Sequence, residues 1–242
     1  MKNNVPQDIK MPFIDHLNEL RQRLIKIIIV LAAISLLVFP ISKKIIDFII
    51  LPLNSDIIFL SPTEALWNNI KIAMITGLFI SLPFIFYHIW AFISPALFKK
   101  ERRLIFFFTL SSIILFLLGV TFFWFALLPI VLNFLLSYQT VSLRPMISLG
   151  LYIDFIVRFI LIFGFIFELP LFITIISSAG IVNPHILSRF RKYFILIAFV
   201  FSAILTPTVD IINQSLVAIP LILLYEVGII CSRIVYYIKN KR

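Results

Sequence analysis

Few side chains in this sequence are placed to do chemistry, and most of them are acids. Glu101 stands among Lys99, Lys100, Arg102 and Arg103 in the short stretch from Phe92 to Arg103, between two long apolar runs. A lone carboxylate among four bases either balances its neighbours or is held out to a basic ligand. Glu168 lies deep in an apolar run, between Arg158 and the polar segment that starts at Asn183. A carboxyl group near the centre of a bilayer costs several kcal/mol unless it is protonated, paired or facing water. Glu168 is therefore a functional acid or a protonated one hydrogen-bonded to a neighbouring helix. Glu226 is similar but closer to a polar end, where it can snorkel. Asp210 follows Thr206-Pro207 and reads either as a helix cap or as a functional acid in a tight external turn.

Catalytic constellations are missing from the sequence. His16, His88 and His185 fall on separate segments without ligand spacing, and the single cysteine, Cys231, permits neither an intrachain disulfide nor a metal cluster. No nucleophile elbow, zinc-protease motif or phosphate-binding loop is present. The expectation is a protein that is not an enzyme and carries no metal or cofactor. If it moves something, the energy comes from a gradient or from another protein.

The elements that must position these acids are membrane helices. Of 242 residues, 62% are hydrophobic and 13% charged, which no soluble domain of this length matches. The net charge of +10 is explained by bases anchoring cytoplasmic loops rather than by nucleic acid. The first 23 residues are polar and mixed in charge, without a small-residue cleavage site after the first apolar run, so no cleavable signal peptide is expected. At helical spacing Phe13, Leu17, Leu20 and Leu24 share one face and His16, Glu19 and Arg23 another, an amphipathic lead-in to a first span.

The spacing predicts an all-α integral membrane protein, one domain over 1–242, with spans at about 24–39, 66–93, 104–134, 152–179, 193–206 and 211–231. Pro40 closes the first. Lys43 and Asp47 lie opposite Ile46, Ile49, Ile50 and Leu53, a short interfacial helix in the external loop stopped by Pro52. Ser61-Pro62-Thr63-Glu64 reads as a capping box with Glu64 reaching back to the cap N–H. The helix it starts has no stop before Ser94 and would be about 48 Å long, with a kink at Pro83. Ser94-Pro95 reads as the cap and first residue of another helix. Asp154 and Arg158 are spaced to pair. Asn183-Pro184 caps a helix carrying Arg189, Arg191 and Lys192. The fifth span is short, roughly 20 Å, and Pro220 interrupts the sixth. Two short spans predict local thinning of the bilayer on that side.

The bases set the orientation. Sixteen fall on the side of both termini and the 92–103 loop, five on the other (Lys43, Lys44, Lys71, Arg144 and Arg158). Both termini are thus cytoplasmic, as an even number of spans requires. No internal repeat is visible.

Five separated blocks carry a family resemblance. They are His16-Leu-x-Glu-Leu-Arg-x-Arg-Leu24, the external Ser61-Pro-Thr-Glu64, the loop from Phe92 to Arg103, Phe163-Gly-x-x-Phe-Glu-Leu-Pro170, and Thr206-Pro-Thr-Val-Asp210 with Gln214, Ala218-Ile-Pro220 and Leu224-Tyr-Glu226. Over nearly its whole length the chain resembles the TatC family, the signal-peptide receptor of the twin-arginine protein translocase. Val209 departs from the pattern, since many relatives have proline there.

The resemblance implies a core receptor in the bacterial cytoplasmic (inner) membrane. It would bind twin-arginine signal peptides of folded precursors and, with small single-span Tat subunits (TatA/TatB type), mediate export driven by the proton-motive force. Glu19 and Glu101 match the acids that contact the two arginines, within a cytoplasmic site that includes His16, Arg21, Phe92 and Pro95. Carboxylates suit this ligand because each accepts a bidentate guanidinium. Glu168 matches the intramembrane acid of a concave face. Thr206, Gln214, Tyr225 and Glu226 match the partner-docking region, and Asp210 the external turn. Assembly as a homo-oligomer within the receptor complex is also implied. The alternative is a small proton-coupled secondary transporter using Glu168, which predicts an inverted repeat and a broken-helix site.

Overall fold

The computed structural model describes residues 13–53, 57–97, 102–137, 139, 146–205 and 211–240. Helix α1 (Phe13–Val38) unites the amphipathic lead-in and the first span without a break. It ends just before Pro40, as expected. The chain tightens into a 3₁₀ turn over Phe39–Ile41 and continues as α2 (Ser42–Ile50). Ile46 and Ile49 of α2 and Leu53 after it are buried, so this short helix packs one apolar face into the core.

Helix α3 (Pro62–Leu97) is 36 residues long and passes Pro83 without interruption. It also runs through Ser94 and Pro95, which corrects the helix start expected there. The fixed φ of proline is itself helical, so Pro95 removes one N–H near a helix end rather than opening a new helix. Helix α1 packs along α3. Gly77 makes this possible, because a Cβ there would sit 2.3 Å from Ser35 Oγ.

Helix α4 (Arg102–Phe122) passes into a π-helical segment, Phe123–Leu127, and then α5 (Leu128–Leu136). The three form the single long helix expected over 104–134. The wide turn answers Pro129. The Leu128 N–H reaches back five residues to the Phe123 carbonyl, easing the approach of the proline ring to the preceding turn.

The span expected at 152–179 begins earlier and is divided. Helix α6 (Leu149–Ile166) and α7 (Leu169–Ser178) meet at Phe167 and Glu168, where Pro170 near the α7 start cannot donate a helical hydrogen bond. Asp154 does not pair with Arg158 of its own helix. It pairs with Lys71 of α3, which joins two helices instead of one turn. Helix α7 ends at Gly180, whose φ of +80 places it in the left-handed region. The Gly180 N–H bonds the Ser177 carbonyl and the Ile181 N–H the Ile176 carbonyl, the paired closure that glycine permits.

Asn183 then caps α8 (Pro184–Arg189), its side chain accepting from the His185 N–H at 3.0 Å. The bases of this region sit on two helices rather than one, because Phe190 separates α8 from α9 (Arg191–Leu205). Helix α9 has 15 residues, about 22 Å of helix, as short as expected. Helix α10 (Ile211–Asn240) has 30 residues and stays helical through Pro220. The helix expected as the sixth span is therefore neither broken nor short, and the expectation of a thinned bilayer rests on α9 alone.

Outside the helices, β1 (Ile57–Ile58) and β2 (Ile147–Ser148) pair in parallel, a link the sequence pattern did not announce. Five helical stretches among the described residues are long and apolar enough to cross a membrane: Ile14–Ile50, Pro62–Ile93, Ile105–Leu136, Leu149–Ser178 and Gln214–Tyr237. The main core lies where α6 meets the π segment, around Phe123, Phe159 and Phe163. Here α4 and α6 touch closely, since a Cβ on Gly119 would lie 2.3 Å from the Phe163 carbonyl oxygen.

Candidate functional site

The packing of α1 on α3 brings together side chains 65 or more positions apart in sequence. The His16 ring stacks flat on Phe92, centroids 4.2 Å apart and planes 9° from parallel. Glu19 lies one turn further along the same stripe, its Oε2 3.8 Å from His16 Nδ1. Arg23 donates to Glu19 Oε1 from Nε at 3.0 Å and from Nη2 at 2.5 Å, and its Nη1 is 3.4 Å from His88 Nδ1. The carboxylate is only partly covered, and its Oε2 faces the His16 ring. The Arg23 guanidinium fixes Glu19 in place. The side chain of Glu19 is 30% exposed, enough for a second cationic group to approach.

Three of the expected residues, His16, Glu19 and Phe92, thus form one patch. Arg21 is exposed on another side of α1. Pro95 lies in the last turns of α3, and Glu101 falls outside the described residues.

A second polar system lies inside the bundle. Trp90 of α3 donates from Nε1 to Ser112 Oγ of α4 at 2.9 Å, and Ser112 donates onward to Glu168 Oε2 at 3.0 Å. Ser112 is fully buried and Trp90 nearly so. The other carboxyl oxygen, Oε1, is buried with no hydrogen-bond partner among the described residues. The break between α6 and α7 thus carries an acid whose unused oxygen calls for a proton or a further donor. Sequence reasoning found Glu168 but not Ser112 or Trp90. A serine in an apolar helix was the available signal, though nothing local shows which neighbour it faces.

The residues expected at the α9–α10 end are engaged within the chain. Gln214 Nε2 donates to the Phe199 carbonyl at 2.7 Å, and Ser202 Oγ donates to the Gln214 carbonyl. Tyr225 is buried, stacks on Phe194 with centroids 3.9 Å apart, and donates to the Leu187 carbonyl at 2.8 Å. Glu226 Oε2 accepts from Arg191 Nη2 at 2.7 Å. Thr206 and Asp210 fall outside the described residues.

Glu64 departs from its expected role. Ser61 does cap the helix, its Oγ 3.3 Å from the Thr63 N–H. Glu64, however, reaches past the cap. Its Oε2 accepts from the Leu60 N–H at 2.6 Å. Its Oε1 accepts from Ser148 Oγ at 2.7 Å and from the Gly150 N–H at 2.6 Å. One side chain therefore ties the start of α3 to the start of α6, beside the β1–β2 pair. Among the described residues no group of three or more His, Cys, Asp or Glu is arranged to hold a metal ion.

Comparison with known proteins agrees with this architecture. The family model described as Sec-independent protein translocase protein (TatC) matches residues 15–220. The Sec-independent protein translocase protein TatC of Aquifex aeolicus is 41% identical over 231 residues, 93% of this chain and 95% of that one. The protein TatCd of Bacillus subtilis is 39% identical, covering 92% of each. A crystal structure described as the twin-arginine translocase receptor TatC superposes with a TM-score of 0.80 at 40% identity, over 91% of this chain and 99% of that one.

Proposed function

We propose, on the premise that the chain belongs to the TatC family of Sec-independent protein translocase proteins, that its patch of Glu19, His16 and Phe92 is one half of a signal-peptide site. The chain is a multi-pass membrane component of a protein translocase, and its family is one of translocase receptors rather than enzymes. The finer reading is a receptor of six spans in one domain, with both termini in the bacterial cytoplasm. It binds signal peptides carrying two consecutive arginines and works with small single-span Tat subunits (TatA/TatB type), as one copy in a larger complex. The proton-motive force drives export.

The observation that carries the site is the partly exposed carboxylate of Glu19, held by Arg23. Arg23 holds one oxygen, so the carboxylate is oriented before any ligand arrives. A guanidinium of the ligand then meets a fixed, partly exposed acceptor whose Oε2 lies beside the His16 ring, and a charge-assisted bond of this kind is worth about 1.5–3 kcal/mol. Glu101 of the adjoining loop supplies the second acceptor for the second arginine. The His16–Phe92 stack offers a flat apolar surface for the residues beyond the pair. Thr206, Gln214, Tyr225 and Glu226 mark the region proposed for partner docking, with Asp210 in the external turn after α9. Because Tyr225 and Gln214 are bonded within the chain, they shape that surface rather than reach across it. Glu168 is proposed as the acid that meets a polar group inside the membrane.

The test is photocrosslinking of a radiolabelled twin-arginine precursor to the protein in membranes. The expected result is adducts near residues 19 and 101 with an Arg-Arg signal and at least ten-fold fewer with Lys-Lys. Unchanged crosslinking in the Glu19→Ala, Glu101→Ala double variant would overturn the site.

A further inference from the structure

Arg158 has no ion-pair partner among the described residues, because the acid four positions before it, Asp154, is taken by Lys71 of α3. It is exposed, and it lies two turns inside α6, within one of the stretches able to cross a membrane. An unpaired guanidinium at that depth is costly unless it finds an anion or reaches the interface. Side chains on a helix lean toward its N-terminus, so Arg158 extends toward the level of the Asp154–Lys71 pair.

One turn further along the same stripe of α6, at i+3 and i+4, are Leu161 and Ile162. They begin a groove of about 420 Å³ that runs between α6–α7 on one wall and α9 on the other, with Phe165, Ile197 and Phe201 among its lining residues. Every residue lining it is apolar. Its walls, Leu161 to Leu169 and Phe194 to Phe201, each span about 12 Å of helix. An all-apolar slot of this kind suits a hydrocarbon chain. A cation at one end and an unbroken apolar slot leading away from it match the two ends of a phospholipid.

We propose that this groove is a binding site for one anionic phospholipid. Its phosphate pairs with the Arg158 guanidinium in the leaflet that holds the α6 N-terminus, and one acyl chain lies in the slot between α6–α7 and α9. The short α9 leaves this slot open along its side, where a longer helix would extend past it. The bound lipid covers an apolar surface that the rest of the chain leaves open, and it neutralises Arg158.

The full-length protein in nanodiscs, with phosphatidylglycerol carrying a diazirine at the end of one acyl chain, provides the test. Irradiation is expected to label peptides containing Phe165 and Ile197 above the level at the exposed Leu36 and Leu37 of α1. Arg158→Gln should lower labelling of the groove at least five-fold and leave α1 labelling unchanged. Arg158→Lys should keep half or more, and Ile197→Trp, which fills the slot, should abolish it. Labelling of the groove that is unaffected by Arg158→Gln, or equal on all lipid-facing helices, overturns the proposal. So does a photoreactive residue at position 201 that captures a partner helix in native membranes and no lipid.

Discussion

Glu64 and Glu168 are both carboxylates at a helix start, each two residues from a proline, yet the fold uses them in opposite ways. Glu64 accepts three hydrogen bonds from Leu60, Ser148 and Gly150, joining the starts of α3 and α6. Glu168 accepts one, from Ser112, and keeps Oε1 buried without a partner among the described residues. A carboxylate whose oxygens are all taken is a fastener. One held by a single donor, with an oxygen left over, is poised to take a proton or a new partner. The number of donors, more than burial or neighbouring motif, separates the two roles.

The sharpest break of this contrast is Glu64→Ala. It removes all three bonds, separates the β1–β2 link from the start of α3, and should produce a larger fall in thermal stability than any substitution at Ser112, Asp154 or Glu168. Limited proteolysis of the external segments should quicken several-fold. An unchanged melting curve would show that the helices hold these segments without it. Next in size is Ser112→Ala, which strips the acceptor from Trp90 Nε1 and the donor from Glu168. A buried donor left unmade costs about 1–3 kcal/mol. Thermal unfolding should register that loss, and the Trp90→Phe, Ser112→Ala double variant should recover some of it by removing the orphaned donor. A weaker version of the same contrast is the Lys71–Asp154 pair, where Asp154→Ala should cost no more than about 1 kcal/mol because both side chains are partly exposed. The smallest effect on stability belongs to Glu168→Gln. The amide oxygen still accepts from Ser112, so the melting temperature should stay within about 2 °C while transport of a twin-arginine precursor falls. Equal loss of stability and transport in this variant would make Glu168 a fastener like Glu64.

The helical plan was legible in the sequence because long apolar runs between clusters of bases leave few alternatives. The family blocks pointed to Glu19 and Phe92, and the fold then brought them onto one patch. What stayed hidden had one physical cause. Partners chosen across helices carry no periodic signal. Asp154 sat at the right spacing for Arg158, but Lys71 lay closer in space. Glu64 fitted a capping box, but Ser148 and Gly150 offered better donors from a segment 84 or more residues away. The prolines misled for a related reason. Pro95 and Pro220 weaken one backbone bond each. Pro95 sits near a helix end, where that loss is small. At Pro220, in a spanning segment, the cost of exposing backbone to lipid outweighs it and keeps the helix going. Pro40 and Pro170 act where the chain has water or a helix end nearby, and there the helix tightens or breaks.

The π segment at Phe123–Leu127 has a consequence for how the outer portion of its helix is aimed. One extra residue in a turn advances the angular phase of everything after it by about 100°. Leu128, Val131 and Leu132, which follow that offset, are buried. The bulge works as a gear tooth: it lets the α4 portion and the α5 portion of one continuous rod present different sides to the core, each meshed with its own neighbours.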